Sequence, residues 1–214
     1  HMQVVHNAYT PKETTELCSR AGTMKGNMRV DKVFMSSFMA GCLLAFACAC
    51  SLSVSVSPWY QENAPGMIAL LGAIIFPWGL VAILSTGADL CTGSFMVSPI
   101  EIQYNFLKEV VPRTDRILVF GEQLTTIAAL HRRISLWKML LHWFITFWGN
   151  LAGSLFVMAV IIGYGGIFDK PVYHDRVVAF GTAKAITPEW HQIFLRGIGA
   201  NWLVCLAAYL SFMG

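Results

Sequence analysis

The sequence predicts an all-α membrane protein. Of its 214 residues, 56% are hydrophobic and only 13% are charged, which is about half the charged fraction of an average soluble domain. Between Val33 and Ile100 the only acidic or basic side chains, apart from cysteine and tyrosine, are Glu62 and Asp89. Apolar stretches of this length are typical of helices that cross a bilayer. A polar, glycine-containing segment at 85–93 interrupts the longest of these stretches.

Four apolar helices are predicted along the chain. In order, they cover residues 33–56, 66–107, 137–168 and 193–214. Each is long enough for a hydrocarbon core of about 30 Å, which needs roughly 20 helical residues. Pro77 and the loop 87–93 are expected to divide the second helix into two half-helices, because proline and glycine both interrupt helices.

The positions of lysine and arginine predict the orientation. These residues are in excess near the cytoplasmic ends of spanning helices. They are concentrated in segments 1–32 and 108–138, and they are absent from the predicted loop 57–65 and partly offset by acids in the predicted loop 169–192. We therefore expect a cytoplasmic amino-terminal segment, residues 1–32, followed by a transmembrane domain, residues 33–214.

The interruption Ser85–Gly93 is the first candidate site. In hydrocarbon every backbone polar group needs a partner within the protein, so irregular backbone survives there only when it is buried in protein or lines a polar cavity. Broken helices of this kind hold the substrates of many transporters. The segment therefore predicts a binding or passage site inside a helical bundle.

Two residues of this interruption carry chemistry. Asp89 at mid-membrane costs about 2.5–3.5 kcal/mol and must face the bundle interior. It is either a carboxylate that takes up protons or, in the preferred interpretation, a side chain that ties the loop together or caps the next half-helix. Thr92 offers a hydroxyl where helix amides and the helix dipole favour an anion, although a simple cap bond would also explain it.

Two further runs combine glycine with asparagine. They are Gly149–Gly153 in the third helix and Gly197–Asn201 in the fourth. Glycines four apart permit close approach of membrane helices, and asparagine can bond across such a contact or to an irregular loop. Helix packing is the simpler interpretation of both runs.

The three motifs together resemble the formate/nitrite transporter family. They read GADLCTG at 87–93, GNLAGSLFV at 149–157 and GIGANWLVCLA at 197–207, in the order and spacing of that family, and residues 190–207 are most similar to fungal nitrite transporters. The resemblance implies an aquaporin-like fold of six helices in two inverted repeats of three, with the second and fifth helices interrupted. It also implies a homopentamer with a pore in each protomer. Only the first four helices are expected in this chain, which is therefore predicted to be part of a longer protein.

The resemblance also implies roles for individual residues. The substrate pathway is expected to include Thr92, Leu90, Cys91, Phe76, Leu80 and Val204. Lys25 and Lys184 match basic vestibule residues on the two sides of the membrane. The residues expected to support the pore loop are Gly87, Asp89, Gly93, Asn150 and Asn201. Cys91 stands where bacterial members commonly have phenylalanine, and a smaller side chain is expected to relax the inner constriction.

The function predicted is passage of small monovalent anions, nitrite first and formate second, together with a proton or as the neutral acid. An unpaired charge in an apolar constriction is very costly, and a shared proton removes most of that cost. No catalytic residue, metal, cofactor or nucleic-acid partner is expected. We expect a multi-pass protein of the plasma membrane. Two alternatives stay open: a channel for neutral solutes, whose usual paired Asn-Pro-Ala signature is absent, and a membrane thiol oxidoreductase using Cys48 and Cys50.

Overall fold

The computed structural model describes residues 8–91 and 134–213, and every regular element within these two stretches is helical. The elements, in chain order, are α1 (Pro11–Gly26), α2 (Val30–Val54), α3 (Pro58–Asn63), α4 (Pro65–Ile75), α5 (Pro77–Thr86), α6 (Leu136–Phe156), α7 (Pro171–Gly181) and α8 (Trp190–Met213). A π-helical segment, Val157–Tyr164, continues α6, and a shorter one, Thr182–Ile186, continues α7.

Three stretches in the described part of the chain are long and apolar enough to cross a membrane. They are Val30–Val54, Pro65–Thr86 and Leu136–Tyr164, of 25, 22 and 29 residues. These stretches confirm the first three predicted helices. Each predicted helix end that lies among the described residues agrees with the structure to within a few residues. The fourth predicted helix corresponds to α8, and its crossing of a membrane stays a prediction, as does the aquaporin-like repeat.

The prediction of a loop over residues 169–192 is wrong. That region contains α7 and the π-helical segment Thr182–Ile186. Pro171 opens α7 after an extended residue, Lys170, and proline is well suited to a first helical position. Tyr173 and Val177 pack against buried residues of other helices, so tertiary packing stabilises a helix that its mixed composition did not indicate.

Two further helices also lie where the sequence predicted none. One is α3, which occupies most of the predicted loop 57–65. The other is α1, which opens with a capping box between Thr10 and Glu13. Hydrogen bonds from the backbone and side chain of Thr10 lower the pKa of the Glu13 carboxyl below its ordinary value of 4.5, because they favour its charged form.

The chain forms two compact units. One contains His1–Val33, Cys91–Phe144 and Arg196–Gly214, and the other contains Phe34–Leu90 and Ile145–Leu195. In the first unit, Ile134 and Met139 are buried beside Trp143. The ammonium of Lys138 donates a hydrogen bond of 2.7 Å to Oδ1 of Asn27, which joins the end of α1 to the start of α6.

The second unit has the larger core cluster. Its buried members are Cys42, Ala45, Val157, Ile162 and Phe168. The α2 and α6 segments of this unit cross there with their backbones in close approach.

Glycines allow that crossing. A Cβ at Gly153 would overlap the backbone of Phe38 and lie 3.1 Å from the amide nitrogen of Cys42, and a Cβ at Gly149 would lie 2.5 Å from the Cβ of Ser37. The prediction that the run 149–153 serves close helix packing is consistent with this geometry.

Candidate functional site

The site begins where α5 ends. Gly87 has φ 69° and ψ 18°, a left-handed conformation that glycine adopts without a steric penalty. The amide of Gly87 donates to the carbonyl of Leu84 at 3.2 Å, and the amide of Ala88 donates to that of Ile83 at 3.1 Å. This pair of bonds is a Schellman motif, and it turns the chain sharply out of the helix at a point predicted to lie within the membrane.

The segment after Gly87 is tied to two other helical segments of its unit. The amide of Asp89 donates to Oγ of Ser36 in α2 at 3.2 Å. The side-chain amide of Asn150 in α6 donates to the carbonyl of Asp89 at 2.8 Å and to the carbonyl of Ser37 at 2.9 Å. We call this arrangement of Ser36, Ser37, Asp89 and Asn150 the loop tether.

The glycine crossing explains why Asn150 reaches both carbonyls. Gly149 and Gly153 flank it in sequence and bring α6 against the backbone of α2. One short side chain then spans the remaining gap. Asp89 itself is only 4% exposed, so its polar backbone needs partners of this kind.

Cys91 follows the tether but belongs to the other compact unit. Its side chain is 6% exposed, and its sulfur lies 4.0 Å from the carbonyl oxygen of Trp143 in α6. A small side chain therefore fills the position where the family resemblance implies a bulkier one.

The remaining predicted pathway residues are spread over several elements. Phe76 is 42% exposed at the junction of α4 and α5, and Leu80, Leu90 and Val204 are half-buried. The buried residues of α5 are instead Gly79 and Ile83. Thr92 and Gly93 lie outside the described residues, and the pathway role of all these residues stays a prediction.

The two predicted vestibule lysines sit on helices that the sequence did not predict. Lys25 is half-buried in the last turn of α1, where a cation is favoured by the helix dipole. Lys184 is exposed in the π-helical segment after α7, with its ammonium 5.7 Å from the centre of the Phe180 ring. Asn201 donates to the carbonyl of Gly197 in its own helix at 2.8 Å, and its support of a loop stays a prediction.

One residue that the sequence prediction did not use is His142. It is 9% exposed within α6, and Thr146, one turn later, is 1% exposed. The signal was present in the sequence, because His142 is an ionisable residue inside an apolar helix. It lies closer to the start of α6 than to its middle, so the sequence alone does not place it at mid-membrane.

The described part of the chain offers polar groups that could bind a small solute. Buried carbonyls, amides and hydroxyls can hydrogen-bond a small polar solute, and no group of three or more His, Cys, Asp and Glu side chains among the described residues could hold a metal ion. Cys48 and Cys50 lie within α2, half-buried and exposed respectively. Two positions apart on a helix, they do not face each other, which disfavours the thiol oxidoreductase.

Fold and site together define a class: an all-helical membrane protein with a polar loop held among apolar helices. A family model described as formate/nitrite transporter matches residues 12–105 and 114–214. The chain therefore belongs to the formate/nitrite transporter family.

Individual relatives are transporters and channels. The chain is 25% identical to a probable formate transporter of Methanothermobacter thermautotrophicus over 94% of the chain and 69% of the relative. It is 26% identical to the formate channel FocA of Haemophilus influenzae over 97% of the chain and 62% of the relative. It is 25% identical to an uncharacterized transporter of Saccharomyces cerevisiae over 97% of the chain and 29% of the relative. The finer likeness to fungal nitrite transporters gains no support, because the yeast relative is uncharacterized.

Proposed function

We propose that this chain forms part of a channel-like transporter that carries small monovalent anions, nitrite first and formate second, across the plasma membrane. The observation that carries the proposal is the loop tether. A carbonyl and an amide of irregular backbone are fixed inside an apolar bundle, which is where transporters place their substrate sites. Relatives named as a probable formate transporter and a formate channel support the choice of a small anion.

The proposed pathway follows the loop. Leu90, Cys91 and Thr92 lie on it, with the hydroxyl of Thr92 as the donor to the anion. Apolar constrictions are assigned to Phe76, Leu80 and Val204. The loop itself is held by Gly87, Asp89, Gly93, Asn150 and Asn201.

Charge brings the anion to the pathway, and a proton helps it through. Lys25 and Lys184 attract anions from the two sides over a distance that salt limits to about 8–10 Å. At the constrictions an unpaired anion is very costly, so passage with a proton or as the neutral acid is favoured. We further propose that the complete protein is a homopentamer with one pathway in each protomer.

A neutral-solute channel is the competing function, and a flux experiment separates the two. The complete protein is reconstituted in liposomes, and uptake of nitrite, formate and glycerol is compared at one pH. We expect saturable nitrite and formate uptake and no glycerol uptake above that of empty liposomes. Glycerol uptake without anion uptake would favour the competing function.

A further inference from the structure

A titratable side chain lies inside the third apolar helix. His142 stands six residues after Leu136 at the start of α6, about 9 Å along a helix that rises 1.5 Å per residue. The stretch Leu136–Tyr164 is long and apolar enough to cross a membrane. Ionisable residues in such helices are rare, and they mark the passage of ions, protons or substrates.

The face of α6 that carries His142 is buried in protein. Thr146 follows four residues later, which places it on the same face, and it is 1% exposed. Phe144 and Trp148 lie on roughly the opposite face of the helix, and they are 63% and 49% exposed. His142 is therefore directed toward the protein interior and not toward lipid.

The residue that follows His142 lies close to Cys91 of the predicted pore loop, and all three residues belong to the same compact unit. The sulfur of Cys91 is 4.0 Å from the carbonyl oxygen of Trp143, the residue after His142. Both Cys91 and His142 are more than nine-tenths buried.

Basic and acidic side chains also lie on the described elements of this unit. They include Lys138 one turn earlier on α6, Lys25 in the last turn of α1, and Asp31 in the first turn of α2. Asp31 is exposed and paired with Arg29 at 3.0 Å, so its charge is screened. Among the described residues, the Cys91 thiol is a further titratable group placed against this part of α6.

We propose that His142 is an anion-binding residue, whose imidazolium pairs with a small monoanion as it passes Cys91. The proposal rests on the proposed function. A histidine in water gains its charge between pH 8 and pH 5, and an anion beside the imidazole favours the charged form. A desolvated anion is in turn stable only beside a paired charge or hydrogen-bond donors. The proton remains on the imidazole, so acid pH raises the occupancy of this position without any proton transfer to the anion.

The test is nitrite uptake by liposomes containing the complete protein, between pH 5 and pH 8. Wild type is compared with His142→Gln and with the matched control His174→Gln, which changes an exposed histidine of α7. We expect uptake by wild type and the control to rise together as pH falls. Uptake by His142→Gln should be roughly tenfold or more below wild type at pH 5, as for loss of one partner of a buried charge pair, and nearly equal to it at pH 8.

The pH profile separates binding from mere structural support, because a generally damaged protein loses uptake at every pH. A His142→Gln profile parallel to that of wild type overturns the inference. Wild-type protein that transports no anion contradicts the proposed function instead.

A second measurement needs no variant. Diethylpyrocarbonate modifies neutral imidazoles, and peptide mass measurement gives its extent at each histidine. Excess nitrite should slow modification of His142 in the wild-type protein and leave His174 and His191 unaffected. Modification of His142 that is absent, or that nitrite does not change, contradicts the inference.

Discussion

Asn150 connects three parts of one unit through a single side chain. Its amide donates to the carbonyls of Asp89 and Ser37, while its glycine neighbours allow the close approach that makes both bonds short. Each such bond contributes about 0.5–1.5 kcal/mol net, and a buried carbonyl left without a donor costs about 1–3 kcal/mol. The position of the loop therefore depends on this amide more than on any local preference of the loop sequence.

Replacing Asn150 by leucine tests that dependence. Asn150→Leu keeps the approximate volume and removes both donors, so we expect nitrite uptake per folded protein to fall roughly tenfold or more, as when about 1.4 kcal/mol of positioning is lost. The matched control is Asn63→Leu, because the amide of Asn63 bonds only within α3, to the carbonyl of Trp59 at 2.9 Å. Equal uptake by the two variants would contradict a positioning role for Asn150.

At the residue scale the sequence predicted burial better than it predicted partners. The cost of a carboxylate in an apolar stretch was enough to predict that Asp89 is buried, and it is 4% exposed. Its bond to Asn150, 61 residues away, depends on the tertiary crossing of α2 and α6. The run of glycine and asparagine in the sequence allows such a contact, but it does not indicate which carbonyl the asparagine side chain will bond.

The length of the apolar stretches predicted the three long helices, whereas other helices depend on packing or capping. Stretches Val30–Val54, Pro65–Thr86 and Leu136–Tyr164 follow directly from their composition. In contrast, α7 has a mixed composition and is held by Tyr173, Val177 and a bond of 3.0 Å from Nε of Arg176 to Oγ of Ser55. For α1 a usable signal was present, because Thr10 and Glu13 have the spacing of a capping box.

The crossing of α2 and α6 is expected to tolerate no side chain at Gly153. A Cβ there meets the backbone of Phe38, which cannot move away as a side chain can. Gly153→Ala should lower the free energy of unfolding in mixed micelles by about 1–3 kcal/mol.

Gly181→Ala is the matched control for this change. Gly181 is also helical, and its Cβ would meet no atom within 4 Å. Alanine there should be neutral or stabilise the protein by about 0.5–1 kcal/mol. A Gly153→Ala protein as stable as the Gly181→Ala protein would mean that the crossing is looser than described.

At the scale of the whole molecule, apolar surface is extensive. Large hydrophobic residues exposed on the three apolar stretches include Phe46, Leu70, Trp78, Phe144 and Leu155. In a membrane, lipid covers part of this surface, and helix faces of neighbouring protomers cover the remainder in the proposed pentamer. Neither the number of protomers nor their contacts can be inferred from hydrophobic patterns, since lipid and protein both accept the same apolar side chains.

The pentamer has a direct test. The complete protein, purified in mild detergent, should give a native mass of five copies, and chemical cross-linking should end at the pentamer. A stable monomer or a clear tetramer would contradict the proposal, and a tetramer would strengthen the comparison with neutral-solute channels.

The measurement closest to the central claim records anion and proton movement together. Liposomes containing the complete protein and an internal pH-sensitive dye are given an inward nitrite gradient with the membrane potential clamped to zero. We expect nitrite to enter together with acidification of the interior, and both rates to rise as the external pH falls. Nitrite uptake without acidification, unchanged between pH 5 and pH 8, would contradict proton-linked passage and would identify a passive charge-selective pore.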